Sequence, residues 1–197
     1  MKHIACLMLT LALLAAAPGL GEQPWLEVVG ETLPDFEATC ADGTVFRLSE
    51  ALRDRRLALI VLFGSGCGAC RRAMAALEAG WGPYREEVAV IGLSLDRTYD
   101  TEEALRAYAL EAGLSFPLAR DPARTARFLR INSYPAFMLV DASRTVRWTQ
   151  VGGSPAAADF AALLEAFLSE DPAPGSFFLR LPRSGRNSAA GRRKKRG

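Results

Sequence analysis

Three observations predict an α/β domain in which strands alternate with helices. Leu57 to Phe63 is an unbroken apolar run of strand length, which reads as a strand buried on both faces. The run ends at Gly64, and the pair Cys67-Gly68-Ala69-Cys70 then opens a helical pattern with apolar residues at Met74, Leu77 and Trp81. Further on, strand runs and helical faces keep alternating, which indicates layered packing with parallel strand pairs. A chain of 197 residues, half of them hydrophobic, can bury a full core as one domain with terminal extensions.

The ends differ from the body. Residues 1–21 have the three-part layout of a secretory signal: a short polar start at Lys2 and His3, an apolar run from Ile4 to Ala17, and small residues around Gly19-Leu20-Gly21. The run is short for a membrane span, and a cut after Gly21 is expected, with an uncleaved anchor as the other outcome. Residues 22–170 form the domain. Residues 171–197 form a Pro-, Gly-, Ser- and Arg-containing tail that reads as disordered and holds eight basic residues and no acid after Asp171. Without those eight, the formal charge of +2 becomes −6 for residues 1–179, so an acidic body carries a basic tail. The tail suits an anionic membrane surface or the chain's own acidic body, and export argues against nucleic acid.

Within the domain, residues 22–33 show little periodicity. Asp35 to Cys40 and Thr44 to Leu48 read as two strands joined at the Asp42-Gly43 turn, with Ser49 capping a brief helix through Leu52. Cys40 is expected to be a tolerated, half-exposed cysteine with nothing nearby to activate it. After the Cys67 helix, Val88 to Leu95 is a second buried strand. Asp100 with Glu103 resembles a capping box for a helix that shows Leu105, Tyr108, Ala109 and Ala112 and closes at Gly113. A short strand is expected around Phe116-Pro117-Leu118, and Asp121-Pro122 is expected to open another helix. Ser133 to Val140 reads as a strand headed by Tyr134-Pro135, a good setting for a cis bond. Val146 to Val151 should pair back on it. The last helix opens at Ser154-Pro155 and shows Phe160, Leu163, Leu164, Phe167 and Leu168.

Chemistry concentrates at the cysteine pair. A thiol at a helix N-terminus meets unpaired N–H groups and the positive dipole end, which favour the nucleophilic thiolate. Cys67 is placed there, and Cys70, one turn on, can resolve a mixed disulfide. A half zinc site or a buried structural pair would use the same spacing. Loss of residues 1–21 removes Cys6 and the sole histidine, leaving Cys40, Cys67 and Cys70, so a Cys–His catalytic pair is excluded and a four-ligand zinc site would need carboxylates. An exported chain with one close cysteine pair favours redox work.

The order of these parts resembles the thioredoxin fold: strand, Cys67-x-x-Cys70, helix, a strand-helix excursion, Tyr134-Pro135 before an antiparallel hairpin, and a closing helix. The lead-in hairpin, the Ser94-Leu95-Asp96 strand end and the 65 positions from Cys70 to Pro135 are similar to the exported TlpA/ResA-like branch, over about residues 30–168. The resemblance implies a central mixed sheet flanked by helices, with an N-terminal β-hairpin and an inserted strand-helix unit. It also implies that Cys67 attacks, Cys70 resolves and cis-Pro135 faces them, with Gly66, Gly68, Ala69, Tyr134 and Pro135 lining the substrate path. Gly66 stands where the family often has Trp, Ala73 and Ala75 where Glu and Pro are common, and Val61 where thioredoxin has a buried Asp.

The implied function is an exported thiol–disulfide oxidoreductase that reduces disulfides of other exported proteins. A membrane thiol carrier would supply electrons, cytochrome c maturation is one setting, and no metal or organic cofactor is implied. The competing reading is a redox-inactive or copper-binding module, since copper(I) favours thiolates, although relatives that assemble copper use a wider cysteine spacing plus a histidine. A thiol peroxidase would need a cysteine in its own Pro/Thr setting, which the sequence lacks.

Overall fold

The computed structural model describes residues 27–122, 125–130 and 133–169. The expected signal over 1–21 and tail over 171–197 lie outside the described residues.

Chain order runs β1 (Glu37–Thr39), β2 (Val45–Arg47), α1 (Leu48–Ala51), β3 (Leu57–Phe63), α2 (Gly68–Trp81), β4 (Val88–Ser94) and α3 (Glu102–Ala112). It continues with β5 (Leu118–Arg120), α4 (Thr125–Phe128), β6 (Ala136–Asp141), β7 (Val146–Val151) and α5 (Ala157–Ser169). β1 and β2 form the expected antiparallel hairpin, in which Gly43 takes the positive φ of +88° that the turn demands. The other strands form one mixed sheet in the order β5-β4-β3-β6-β7. β3 is parallel to β4 and antiparallel to β6, so it lies at the centre with all seven residues buried.

Successive residues of β3 face opposite layers, and this alternation builds two cores. Leu57, Leu59, Val61 and Phe63 meet Met74, Leu77 and Trp81 of α2, Leu105 and Tyr108 of α3, and Phe160, Leu163 and Leu164 of α5. Ala58, Ile60 and Leu62 meet Ala38 and Cys40 of the hairpin region, Leu48 of α1, and Leu129 after α4. The short β5 is one edge of the sheet, and α4 follows it in the chain.

Several local expectations change. α1 begins at Leu48, and Ser49 does not cap it; the Ser49 amide and hydroxyl instead donate to Asp35 at 2.9 and 2.6 Å, so a carboxylate from before the hairpin serves the helix start. Thr101, not Asp100, caps α3 by accepting from the Ala104 amide at 3.1 Å, because the Asp100 side chain turns inward. β5 starts two residues after Phe116. Asp121 accepts from the Thr125 and Ala126 amides at 3.3 Å, and α4 opens only at Thr125, which leaves Pro122 ahead of it. α5 opens at Ala157, where the Asp159 carboxylate accepts from the Ala156 amide, and Ser154 is used elsewhere.

Cys40 is buried, with 1 % exposure, which overturns the half-exposed expectation. A bridge from Cys40 to Ala119 docks the hairpin end against β5, a contact between segments nearly eighty positions apart that hairpin patterning cannot show.

α2 and α5 cross closely at Gly80. A Cβ there would lie 2.3 Å from the Ala157 carbonyl oxygen and 2.9 Å from Cβ of Phe160. Gly80→Ala gains about 1 kcal/mol of helix propensity but forces two packed helices apart, a cost of about 1–3 kcal/mol. A net loss of up to about 2 kcal/mol is expected, measured as a lower urea midpoint.

Candidate redox-active site

The pair sits where β3 hands over to α2. The Cys67 amide donates to the Gly64 carbonyl at 3.1 Å and closes the turn, and Cys67 becomes the N-cap of α2 with extended backbone. Its Sγ accepts from the Cys70 amide at 3.0 Å, so the sulfur lies on the exposed N–H groups of the helix start. Cys67 and Cys70 are joined as a disulfide with Cα atoms 5.2 Å apart. The two sulfurs are not equivalent. Cys67 is half-buried between exposed Gly66 and Gly68, while Cys70 is fully buried in the core beside Ala73 and Met74.

Register brings the second predicted stretch to the same place. Leu62 of β3 pairs with Ala136 of β6, which sets Pro135 and Tyr134 at the level of the turn after β3. The Tyr134-Pro135 bond is cis, as the sequence suggested. The Tyr134 ring covers Gly64 so closely that a Cβ on that glycine would lie 3.0 Å from it, yet Tyr134 keeps 37 % of its surface exposed. Gly66 and Gly68 are exposed and Ala69 is half-buried just after the Gly64 that Tyr134 covers, and Pro135 is buried.

Three groups of contacts were not legible in the sequence. The Gly152 amide donates to the Pro135 carbonyl at 2.7 Å, and the Ser154 hydroxyl donates to the Ala69 carbonyl at 3.2 Å, so the loop before α5 fastens the proline segment to α2. Arg71 lays its guanidinium 5.3 Å above the Tyr108 ring and pairs with Glu111 at 2.8 Å. Beneath the turn, buried Asp100 accepts from the Ser65 amide at 3.0 Å, from the Ser65 hydroxyl, and from the Ser94 hydroxyl at 2.5 Å. The position of Asp100 just ahead of a helix suggested a cap, and only its inward rotamer reveals the different use.

No group of three or more His, Cys, Asp or Glu residues suited to a metal ion occurs among the described residues. No described helix is long and apolar enough to cross a membrane.

Fold and site together define a thioredoxin-like thiol–disulfide oxidoreductase with a Cys67–Cys70 redox pair. The AhpC/TSA family pattern matches residues 29–149, and the chain belongs to that family. It is 25% identical over 123 residues to the thioredoxin-like protein YneN of Bacillus subtilis, which covers 62% of this chain and 71% of that one. A candidate protein disulfide isomerase from Bacteroides thetaiotaomicron superimposes with a TM-score of 0.59 at 26% identity, over 72% of this chain and 88% of that one. A candidate thiol:disulfide interchange protein DsbE from Chlorobium tepidum gives a TM-score of 0.58 at 26% identity, over 71% and 95%.

Burial pushes the Cys40 thiol up, and the Asp42 charge adds to this against a hydrogen bond with Thr44. Cys40 therefore stays protonated and covered at pH 8. Iodoacetamide applied to the reduced, folded protein is expected to modify Cys67 and to leave Cys40 unmodified until the chain is denatured. Peptide mass mapping checks this, and rapid labelling of Cys40 in the folded state would refute it.

Proposed function

We propose that this chain is an exported protein-disulfide reductase of the TlpA/ResA kind. The carrying observation is the asymmetry of the pair: a half-buried Cys67 whose sulfur lies on the N-terminus of α2, backed by a fully buried Cys70. The Cys67 thiolate attacks one sulfur of a substrate disulfide, forming the mixed disulfide and releasing the other substrate sulfur as a thiolate. Cys70, as thiolate, then attacks Sγ of Cys67. The second substrate sulfur leaves, and the Cys67–Cys70 disulfide forms. Two electrons pass to the substrate, which takes up two protons as its thiols form, and a dithiol donor must reduce the pair before the next cycle.

Access supports the assignment of roles. An incoming sulfur can approach Cys67 along the rim of Gly66, Gly68, Ala69 and Tyr134, whereas Cys70 is shielded by the core. The buried Pro135 has no amide hydrogen, and its carbonyl is occupied by Gly152, so the main chain of Tyr134 is the part of this segment offered to a bound polypeptide. The layout of residues 1–21 supports export, and the Chlorobium relative is described as an interchange protein of the same chemistry. A membrane dithiol carrier suits the need for re-reduction, cytochrome c maturation is one setting for it, and the basic tail suits an anionic membrane surface.

Cys70→Ser is expected to accumulate mixed disulfides through Cys67, seen on non-reducing gels and by mass spectrometry, and Cys67→Ser is expected to form none and to lose turnover. Failure of Cys70→Ser to trap any partner defeats the reading. Equilibration with dithiothreitol buffers tests direction: a potential near or below about −270 mV fits a reductase, and one near −120 mV fits an oxidant.

A further inference from the structure

Asp100 has no place in the exchange just described, yet its environment is unusual. Its residue exposure is 0 %, and no cationic side chain pairs with it among the described residues. A buried carboxylate without a counter-charge is costly unless hydrogen bonds replace its lost hydration. Here three donors do so: the Ser65 amide, the Ser65 hydroxyl and the Ser94 hydroxyl. Ser94 closes β4 opposite Phe63, the last residue of β3, and the Leu95 amide donates to the Phe63 carbonyl at 2.9 Å. The carboxylate thus joins the ends of the two central parallel strands and the start of α3 to the turn that presents Cys67.

The charged and titratable groups around it have other partners. Asp96, whose carbonyl accepts from the Asp100 amide, uses its own carboxylate on the Thr98 and Tyr99 amides at 3.0 Å. Arg71 of α2 is engaged with Glu111 and with the ring of Tyr108. The Tyr108 hydroxyl makes no hydrogen bond among the described residues, and burial first, then the charge of Asp100, pushes that phenol up. Nothing on these elements neutralises Asp100.

We propose that Asp100 is a positioning residue that also sets the potential of the redox pair: it holds the Gly64–Cys67 turn in place, and its uncompensated charge favours the disulfide over the dithiol. Ser65 and Cys67 are two residues apart, with Cα atoms no more than about 7.6 Å from each other. Reduction places a thiolate at Cys67 on the start of α2. A fixed negative charge beneath the same turn opposes that second charge and makes the pair a stronger reductant.

The inference rests on the oxidoreductase reading, but its test compares variants with one another, so its failure leaves the trapping experiment and the wild-type potential to judge that reading separately. The experiment is redox equilibration of the full chain with glutathione, read alongside the ultraviolet titration of the Cys67 thiolate. Asp100→Asn keeps the shape and an acceptor for Ser65 while removing the charge. It is expected to shift the equilibrium about tenfold toward the dithiol, equal to about 30 mV, and to let Cys67 ionise at lower pH. Ser94→Ala keeps the charge and removes one donor, so it is expected to shift the equilibrium toward the disulfide, the opposite sign. Mere loosening of the turn would move both variants the same way. A shift below about threefold in Asp100→Asn, a shift of that variant toward the disulfide, or the same sign in both overturns the proposal. Should Asp100→Asn not fold, Ser94→Ala decides alone: movement toward the disulfide supports the proposal, and no movement or the reverse overturns it.

Discussion

The hydrogen bond from the Cys67 amide to the Gly64 carbonyl closes the turn between β3 and α2, and the redox pair depends on that closure. The passage from β3 into α2 delivers the chain from a buried strand to the surface in a few residues. The first amides of the helix then point at whatever lies on its N-terminus. Cys67 Sγ occupies that place. Glycine at 64 lets the Tyr134 ring lie close over the turn, since a Cβ there would sit 3.0 Å from the ring and push it outward by a few tenths of an ångström.

Everything else in the site is arranged to keep that turn where it is. β3 lies at the middle of the sheet, paired along its length with β4 and β6, so its end cannot drift without breaking two ladders. Asp100 and Ser94 fasten the turn from beneath, and Gly152 and Ser154 fasten its neighbours from the α5 side. The outer sulfur can then be reached without exposing the inner one, because Cys70 enters the core with Ala73, Met74 and Leu77 on the first turns of α2. A reactive group on a rigid platform needs no movement of the fold to meet its substrate.

Local pattern carried much of this. The bounds of β3 and β7, the position of Cys67 at the helix N-cap and the cis bond before Pro135 follow from signals confined to a few consecutive residues, namely apolar runs, glycine turns and an aromatic-proline pair. Such signals fail where a distant partner competes for a local group. Ser49 is a good cap by type, but Asp35 claims it. Asp100 and Glu103 have capping-box spacing, but two serines draw Asp100 inward and Thr101 takes over the cap. Cys40 beside a turn reads as partly exposed until β5 covers it.

By itself the sequence determined the α/β class, the strand-Cys67-x-x-Cys70-helix unit and the Tyr134-Pro135 strand head, because backbone periodicity and turn chemistry act within a few residues of one another. Only the tertiary structure decided which sulfur is reachable, which loop clamps the proline segment and where the buried carboxylate lies. Those outcomes depend on sheet order, strand register and side-chain rotamer, which bring together residues such as Ser65 and Asp100, or Ala69 and Ser154, that no local spacing connects.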